Sequence, residues 1–233
     1  MEHLLMAAAE QQELDRAIKA YQNIAPQLEE KIQVDFMLTG IGAVNTCYRL
    51  TRKILEAKAE GRPYTLLADL GIAGSYDLTR FPEGSATIVK EEFFGDLGFE
   101  TPGGFKTLFE CYCVEDDLPP FQKGILPRLP LPQQHLEALL QTWLPATGVT
   151  IQTITHDPVK VKNLEDKFHG EVESMEGAAF YYVALLEKIP FFELRTVSNV
   201  VGESDSSRWE TRKALDRLEK SCEEILLALI QDV

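Results

Sequence analysis

The feature that most constrains this chain is an alternation of short apolar runs with stretches of helical spacing, joined by glycine or polar residues. His3 to Ala9 is one such run, and Glu10 to Tyr21 follows with Leu14, Ala17, Ile18 and Tyr21 at helical intervals. Val34 to Thr39 ends in Gly40-Ile41-Gly42 and leads into a helical period over Ala43–Ala59, stopped by Gly61 and Pro63. Thr65 to Leu70 reads as a third strand, entering a turn at Gly71-Ile72-Ala73-Gly74-Ser75. Further strands are expected at Ala86–Phe94, Val149–Thr155 and Phe191–Ser198. Further helices are expected at 133–144, Gly177–Lys188 and Trp209–Val233. Between them, Pro119, Pro120, Pro127, Pro130 and Pro132 mark a surface loop over 119–132. Strands separated by helices require crossover connections and a sheet covered on both faces. The expected fold is therefore α/β: a three-layer α/β/α sandwich around a central mixed sheet, in one domain over 1–233.

Composition narrows the function classes. The chain has 233 residues, with 23 Lys+Arg against 37 Asp+Glu, for a formal net charge of −14. A nucleic-acid binder needs a basic face to displace counterions from phosphate, so that class is disfavoured. A nucleoside carries no backbone phosphate and is not excluded. The four cysteines, Cys47, Cys111, Cys113 and Cys222, are sparse enough for a reducing compartment. Cys111 and Cys113 form a C-x-C on an expected strand, and no second cysteine pair or histidine cluster completes a zinc site. They read as ordinary buried thiols, and no metal is expected. No basic segment precedes a long apolar run near the start, and no stretch approaches the length of a membrane span. The expectation is a soluble, cytoplasmic protein with no membrane partner.

In sheets of this kind ligands bind beyond the carboxyl ends of the strands. The residues there are Glu10–Glu13, Gly40–Gly42, Gly71–Ser75, Thr155–Asp157, Ser174–Gly177 and Ser198–Gly202. Gly40-x-Gly42 is a poor dinucleotide fingerprint: Asn45 takes the third glycine's place, and Gly61-Arg62 stand where an acidic residue is needed. The plainer reading is two glycines that allow a tight turn. Glu13, Glu176 and Asn199 follow three different expected strands, yet each has a plain reading as well. Glu13 suits the first turn of a helix. Glu176 sits beside Ser174, a candidate helix cap. Asn199 suits a turn. Periodicity alone does not join them.

Longer strings do. Glu173-Ser174-Met175-Glu176-Gly177-Ala178-Ala179-Phe180 resembles the M-E-[AG]-A motif of the purine and uridine phosphorylase superfamily. Arg195-Thr196-Val197-Ser198-Asn199 resembles that family's R-x-[IV]-S-[DN] strand end, at the matching distance. Gly71-Ile72-Ala73-Gly74 and Gly40-Ile41-Gly42 resemble its two glycine turns. The superfamily's phosphorylases carry an Arg where this chain has Asp69, and their N-terminal G-D-P-x-R motif is absent. Ala7 to Leu14 instead resembles the A-x-E-x-E-[VL] segment of methylthioadenosine/S-adenosylhomocysteine nucleosidases. By that resemblance Glu13 activates water, and Asp69 repels phosphate.

Those nucleosidases place Asp after the strand-end Ser to protonate a 6-aminopurine, and this chain has Asn199. An amide suits N7 and O6 of a 6-oxopurine. With Asp96-Leu97-Gly98-Phe99-Glu100, Gly103-Gly104-Phe105 and Arg208-Trp209, the strings resemble the futalosine hydrolases. The resemblance implies hydrolysis of a nucleoside to hypoxanthine, within menaquinone biosynthesis and without a cofactor. It assigns Glu13, Asn199 and Glu176 to catalysis, and Gly74, Thr155, His156, Met175 and Arg208 to substrate binding. Arg208 is the candidate cation for the substrate's carboxylate, because the family's usual basic residue is replaced near Glu203 and Ser204. His156 reads equally well as a purine contact or a surface-loop histidine. Relatives are commonly dimers, so a homodimer is expected. The alternatives are a methylthioadenosine/S-adenosylhomocysteine or aminofutalosine nucleosidase, then a phosphorylase or a non-catalytic nucleoside-binding protein.

Overall fold

A computed structural model describes residues 2–28 and 31–233. The first strand, β1 (Glu2–Ala8), is buried along nearly its whole length, as a parallel strand covered on both faces must be. Helix α1 (Gln11–Leu28) follows it, then β2 (Ile32–Leu38), α2 (Ala43–Ala59) and β3 (Leu66–Ser75). Strand β4 (Ala86–Phe94), the hairpin β5 (Gly98–Thr101) and β6 (Gly104–Thr107), and the short β7 (Leu126–Pro127) come next. The second half holds α3 (Gln134–Leu140), β8 (Pro145–Thr150), α4 (Pro158–Phe168), β9 (Val172–Ser174) and α5 (Gly177–Glu187). Strand β10 (Phe191–Val200), a 3-10 turn (Ser206–Arg208) and α6 (Thr211–Ile230) complete the chain.

The sheet is mixed and runs β2-β1-β3 on one side. On the other side β3 pairs with β10, β10 with β4, β4 with β8, β8 with β9, and β9 returns to β3. That half of the sheet therefore closes on itself. One apolar cluster fills the space between the sheet and α1, α3 and α6, with Phe192, Leu218 and Ile225 fully or almost fully buried. A second lies under α2 and α5, built on Leu50, Ile54, Phe180 and Tyr181. The three-layer sandwich is present, with part of its central layer curled into a ring.

Several boundaries differ from the sequence reading. Strand β3 continues through Gly71-Ile72-Ala73-Gly74-Ser75, which is not a turn. Its glycines are covered by β10 and β9, so ladder hydrogen bonds outweigh glycine's low strand propensity. Strand β8 starts at Pro145, where a missing N–H is tolerated, and ends at Thr150 instead of Thr155. Cys111 and Cys113 lie in turns, not on a strand, and Cys113 is exposed. There Phe109 packs edge-on against Phe121 at 5.0 Å, and the intervening residues turn outward. Helix α4 carries a legible start that periodicity missed: Asp157 accepts the Val159 N–H at 2.8 Å, and Pro158 opens the helix.

Candidate active site

A cavity of about 180 Å³ opens at the carboxyl ends of β1, β3, β9 and β10. Glu13, Gly74, Met175, Glu176 and Asn199 line it, and so do Glu10, Glu173 and Trp209. Ile41, Ile72, Ile151 and Ile154 supply apolar walls. Among the described residues of the lining there are four glutamates and no Lys, Arg or His.

Glu13 is the third residue of α1 and takes the N–H of Glu10, the residue before the helix, at 3.0 Å. This is half of a capping box, a local reason for the side chain to fold back. Its other oxygen accepts the Ile72 N–H of β3 at 2.9 Å. The carboxyl is only 5% exposed, and burial pushes its pKa up to about 7, against the pull of the two N–H donors and the Arg195 charge. Glu176 ends the segment after β9, accepting the Gly42 N–H at 2.9 Å and the Met175 N–H at 3.3 Å. Gly42 donates from φ 91°, and Gly40 sits at φ 78°, so the Gly-Ile-Gly turn needs backbone angles that other residues avoid. Burial raises the Glu176 carboxyl too, and Arg195 offsets this in part. Ser174 Oγ accepts the Gly177 N–H at 3.3 Å, a side-chain bond at the start of α5.

Asn199 lies near the end of β10, 7% exposed. The Ser198 hydroxyl donates to its Oδ1 at 2.7 Å, and its Nδ2 donates to the Val200 carbonyl at 2.9 Å. Nδ2 lies beside Gly74 of the lining, 3.3 Å from where a Cβ there would stand, and keeps one N–H, so the amide faces the cavity with a donor.

Asp69 does not face the cavity. It is 2% exposed, and the Arg195 guanidinium lies against it, Nη2 to Oδ2, at 2.5 Å. Its charge is neutralised beneath the floor, which corrects the expectation that Asp69 itself repels phosphate. Arg195 also reaches upward: a Cβ on Gly71 would lie 2.7 Å from its Nη1 and 2.9 Å from Glu13 Oε1. Nothing larger than glycine fits between them.

The remaining expected binding residues lie outside the lining. Thr155 is buried and gives its N–H to Glu173 at 3.3 Å. The His156 ring contacts the Gly202 carbonyl at 3.0 Å through Nδ1. Arg208 is 70% exposed and turns to Glu203 and Asp205, because the two nearest carboxylates are on its own loop. Trp209 and Glu173, not singled out by the sequence reading, take places in the lining. Trp209 is held by its Nε1–H to the Glu203 carbonyl at 3.0 Å. Glu173 belongs to the Glu173-Ser174-Met175-Glu176 string, so the sequence marks its position and the fold sets its direction.

The model of the Phosphorylase superfamily matches residues 36–231, and the chain belongs to that superfamily. Among curated relatives it is 29% identical to futalosine hydrolase of Streptomyces coelicolor, over 93% of this chain and 92% of that one. It is 31% identical to futalosine hydrolase of Thermus thermophilus, over 82% of this chain and 80% of that one. Among solved structures, futalosine hydrolase of Helicobacter pylori superposes with a TM-score of 0.71 at 15% identity, covering 100% of this chain and 98% of that one. The 5′-methylthioadenosine/S-adenosylhomocysteine nucleosidase of the same organism, bound to butyl-thio-DADMe-Immucillin-A, gives 0.73 at 14% identity, covering 100% and 99%. These two likenesses show the shared nucleoside phosphorylase-like fold.

Proposed function

We propose that this protein hydrolyses the N-ribosidic bond of futalosine, releasing hypoxanthine and dehypoxanthinyl futalosine in menaquinone biosynthesis. The observation that carries this reading is the meeting of Glu13, Glu176 and Asn199, from separate parts of the chain, around one cavity whose described lining carries no cation. The two relatives named futalosine hydrolases, each matched over most of its length, support the choice of substrate.

Water attacks C1′ and gives its proton to Glu13, whose pKa near 7 suits a base at neutral pH. The C1′–N9 bond breaks through a state with positive charge on the ribose, as in other glycoside hydrolysis. Glu176, with lone pairs left beyond its two backbone donors, accepts the ribose hydroxyls. The free N–H of Asn199 meets N7 and O6, where negative charge gathers as the bond breaks. Among the described residues no group of His, Cys, Asp or Glu is arranged to hold a metal ion, and the proposed route calls for none. Among the described residues the lining holds no cation for the substrate's carboxylate, so in this reading that arm extends beyond the cavity.

The lining draws on residues from Ala9 to Trp209, which supports reading the chain as one domain. A homodimer is part of the proposal. Val44, Tyr48 and Leu55 form an exposed stripe on α2, and Ile41 continues it to the cavity mouth. No described helix is long and apolar enough to cross a membrane. A cytoplasmic location is a further part of the proposal.

Incubation with futalosine, aminofutalosine, methylthioadenosine and inosine, with and without phosphate, tests the reading. Hypoxanthine release from futalosine, unchanged by phosphate, is expected. Release only from the 6-amino nucleosides, or only with phosphate, would overturn it.

A further inference from the structure

We propose that Glu173 is the specificity-determining residue for the purine, accepting the N1–H of a 6-oxopurine while O6 and N7 share the one free N–H of Asn199. The inference rests on the nucleosidase reading above and names how that site tells its base from a 6-aminopurine.

The sheet register sets the geometry. Asn199 on β10 and Glu173 on β9 are both partnered with Gly74 of β3, one on each side. Side chains directly opposite across a ladder lie on the same face of the sheet. Two strand spacings separate the outer pair by about 10 Å, room for a purine with a hydrogen bond at each end. Gly74 between them presents no side chain. A Cβ there would lie 3.3 Å from Asn199 Nδ2 and 3.0 Å from Val201 Cγ2. All three residues line the cavity.

Glu173 is held for this task. It is 8% exposed, the Tyr76 hydroxyl donates to its Oε2 at 2.7 Å, and the Thr155 N–H donates to its Oε1 at 3.3 Å. A carboxylate accepts about four hydrogen bonds, so these two leave capacity for a ligand. Burial raises its pKa above the ordinary carboxylate value, and the Tyr76 and Thr155 donors offset part of that rise.

The chemistry of the base does the selecting. Hypoxanthine offers two acceptors, O6 and N7, followed along its edge by the N1–H donor. Asn199 and Glu173 offer a donor and then an acceptor, which is the complement. Adenine reverses the edge: its 6-amino group meets the Asn199 N–H, and its N1 lone pair meets a carboxylate. Glu13 and Glu176 do not enter this discrimination, because they are assigned to water and ribose.

Two measurements on the full-length protein test the inference. Wild-type affinity for hypoxanthine is expected to exceed that for 1-methylhypoxanthine, which lacks the N1–H, by at least about tenfold. Equal affinities, or no hypoxanthine binding, would overturn the assignment. Glu173→Gln is expected to lower kcat/KM for futalosine by about 10–100-fold and to raise the relative rate on aminofutalosine, because the amide N–H can meet an adenine N1. An unchanged futalosine-to-aminofutalosine ratio would also overturn it. The purine comparison needs no variant and stands if Glu173→Gln does not fold. An enzyme that cleaves futalosine but binds both purines alike removes only the role of Glu173. One that discriminates between the purines but cleaves no futalosine removes only the functional reading.

Discussion

The backbone N–H of Ile72 lies 2.9 Å from Glu13 Oε1, tying the first helix to the middle of β3 across 59 residues. A first-turn glutamate, placed by local capping, is thereby drawn from solvent into the cavity wall. Its burial raises its pKa to about 7, so it is half-ionised where a neutral-pH base needs to be. Replacing Glu13 with Gln keeps an acceptor for Ile72 but removes the base. We expect kcat to fall by about 10²–10⁴ with little change in KM, read by steady-state hypoxanthine release.

The same carboxyl sets a pH dependence. Below pH 7 the base is increasingly protonated, so kcat/KM should fall about tenfold per pH unit in the acid limb. A flat profile from pH 5 to about 7 would contradict the base assignment.

Stability should move the opposite way. The folded state keeps a proton on Glu13 up to about 7, whereas the unfolded chain loses it near 4.5. Stability therefore falls as pH rises through that window, and the cost of the ionised buried group is complete above it. Glu13→Gln removes this cost and should be more stable than wild type at pH 8 by up to about 3 kcal/mol, with little difference at pH 4. Urea denaturation at both pH values checks this.

Asn199→Asp should raise the ratio of 6-amino to 6-oxo substrate turnover. A protonated carboxyl donates to N7 and its other oxygen accepts from the 6-amino group, which the Ser198-locked amide cannot do. Competition between futalosine and aminofutalosine measures the ratio.

Asp69→Asn should leave the Arg195 charge buried without its closest partner. Glu193 stays 2.8 Å from the guanidinium, so we expect a loss of about 1.5–3 kcal/mol in denaturant unfolding, with residual activity still independent of phosphate. Phosphate-dependent cleavage in this variant would restore Asp69 as the anion-excluding residue.

Gly177→Ala should destabilise the protein, although Ala is the better helix former by about 1 kcal/mol. A Cβ at Gly177 would lie within 3 Å of oxygens of both Glu92 and Glu193, two fully buried carboxyls under the start of α5. Overpacking of this kind costs about 1–3 kcal/mol, read as a lower Tm.

The sequence by itself determined the elements that rest on local patterns. The helix at Ala43–Ala59 and the strand at Ala86–Phe94 match the expected ranges, because apolar period and flanking glycine or proline act over a few residues. It also marked the strand ends that carry Glu13, Glu176 and Asn199, since strings around those residues resemble a family's motifs. The tertiary structure decided what such patterns do not encode. It turned Glu173 toward the cavity from a short strand that periodicity passed over, and it held Arg208 on its own loop. It also cancelled the charge of Asp69 with Arg195, 126 residues away. Side-chain direction and ion pairing depend on which distant segments the sheet brings side by side, and no local window contains both partners.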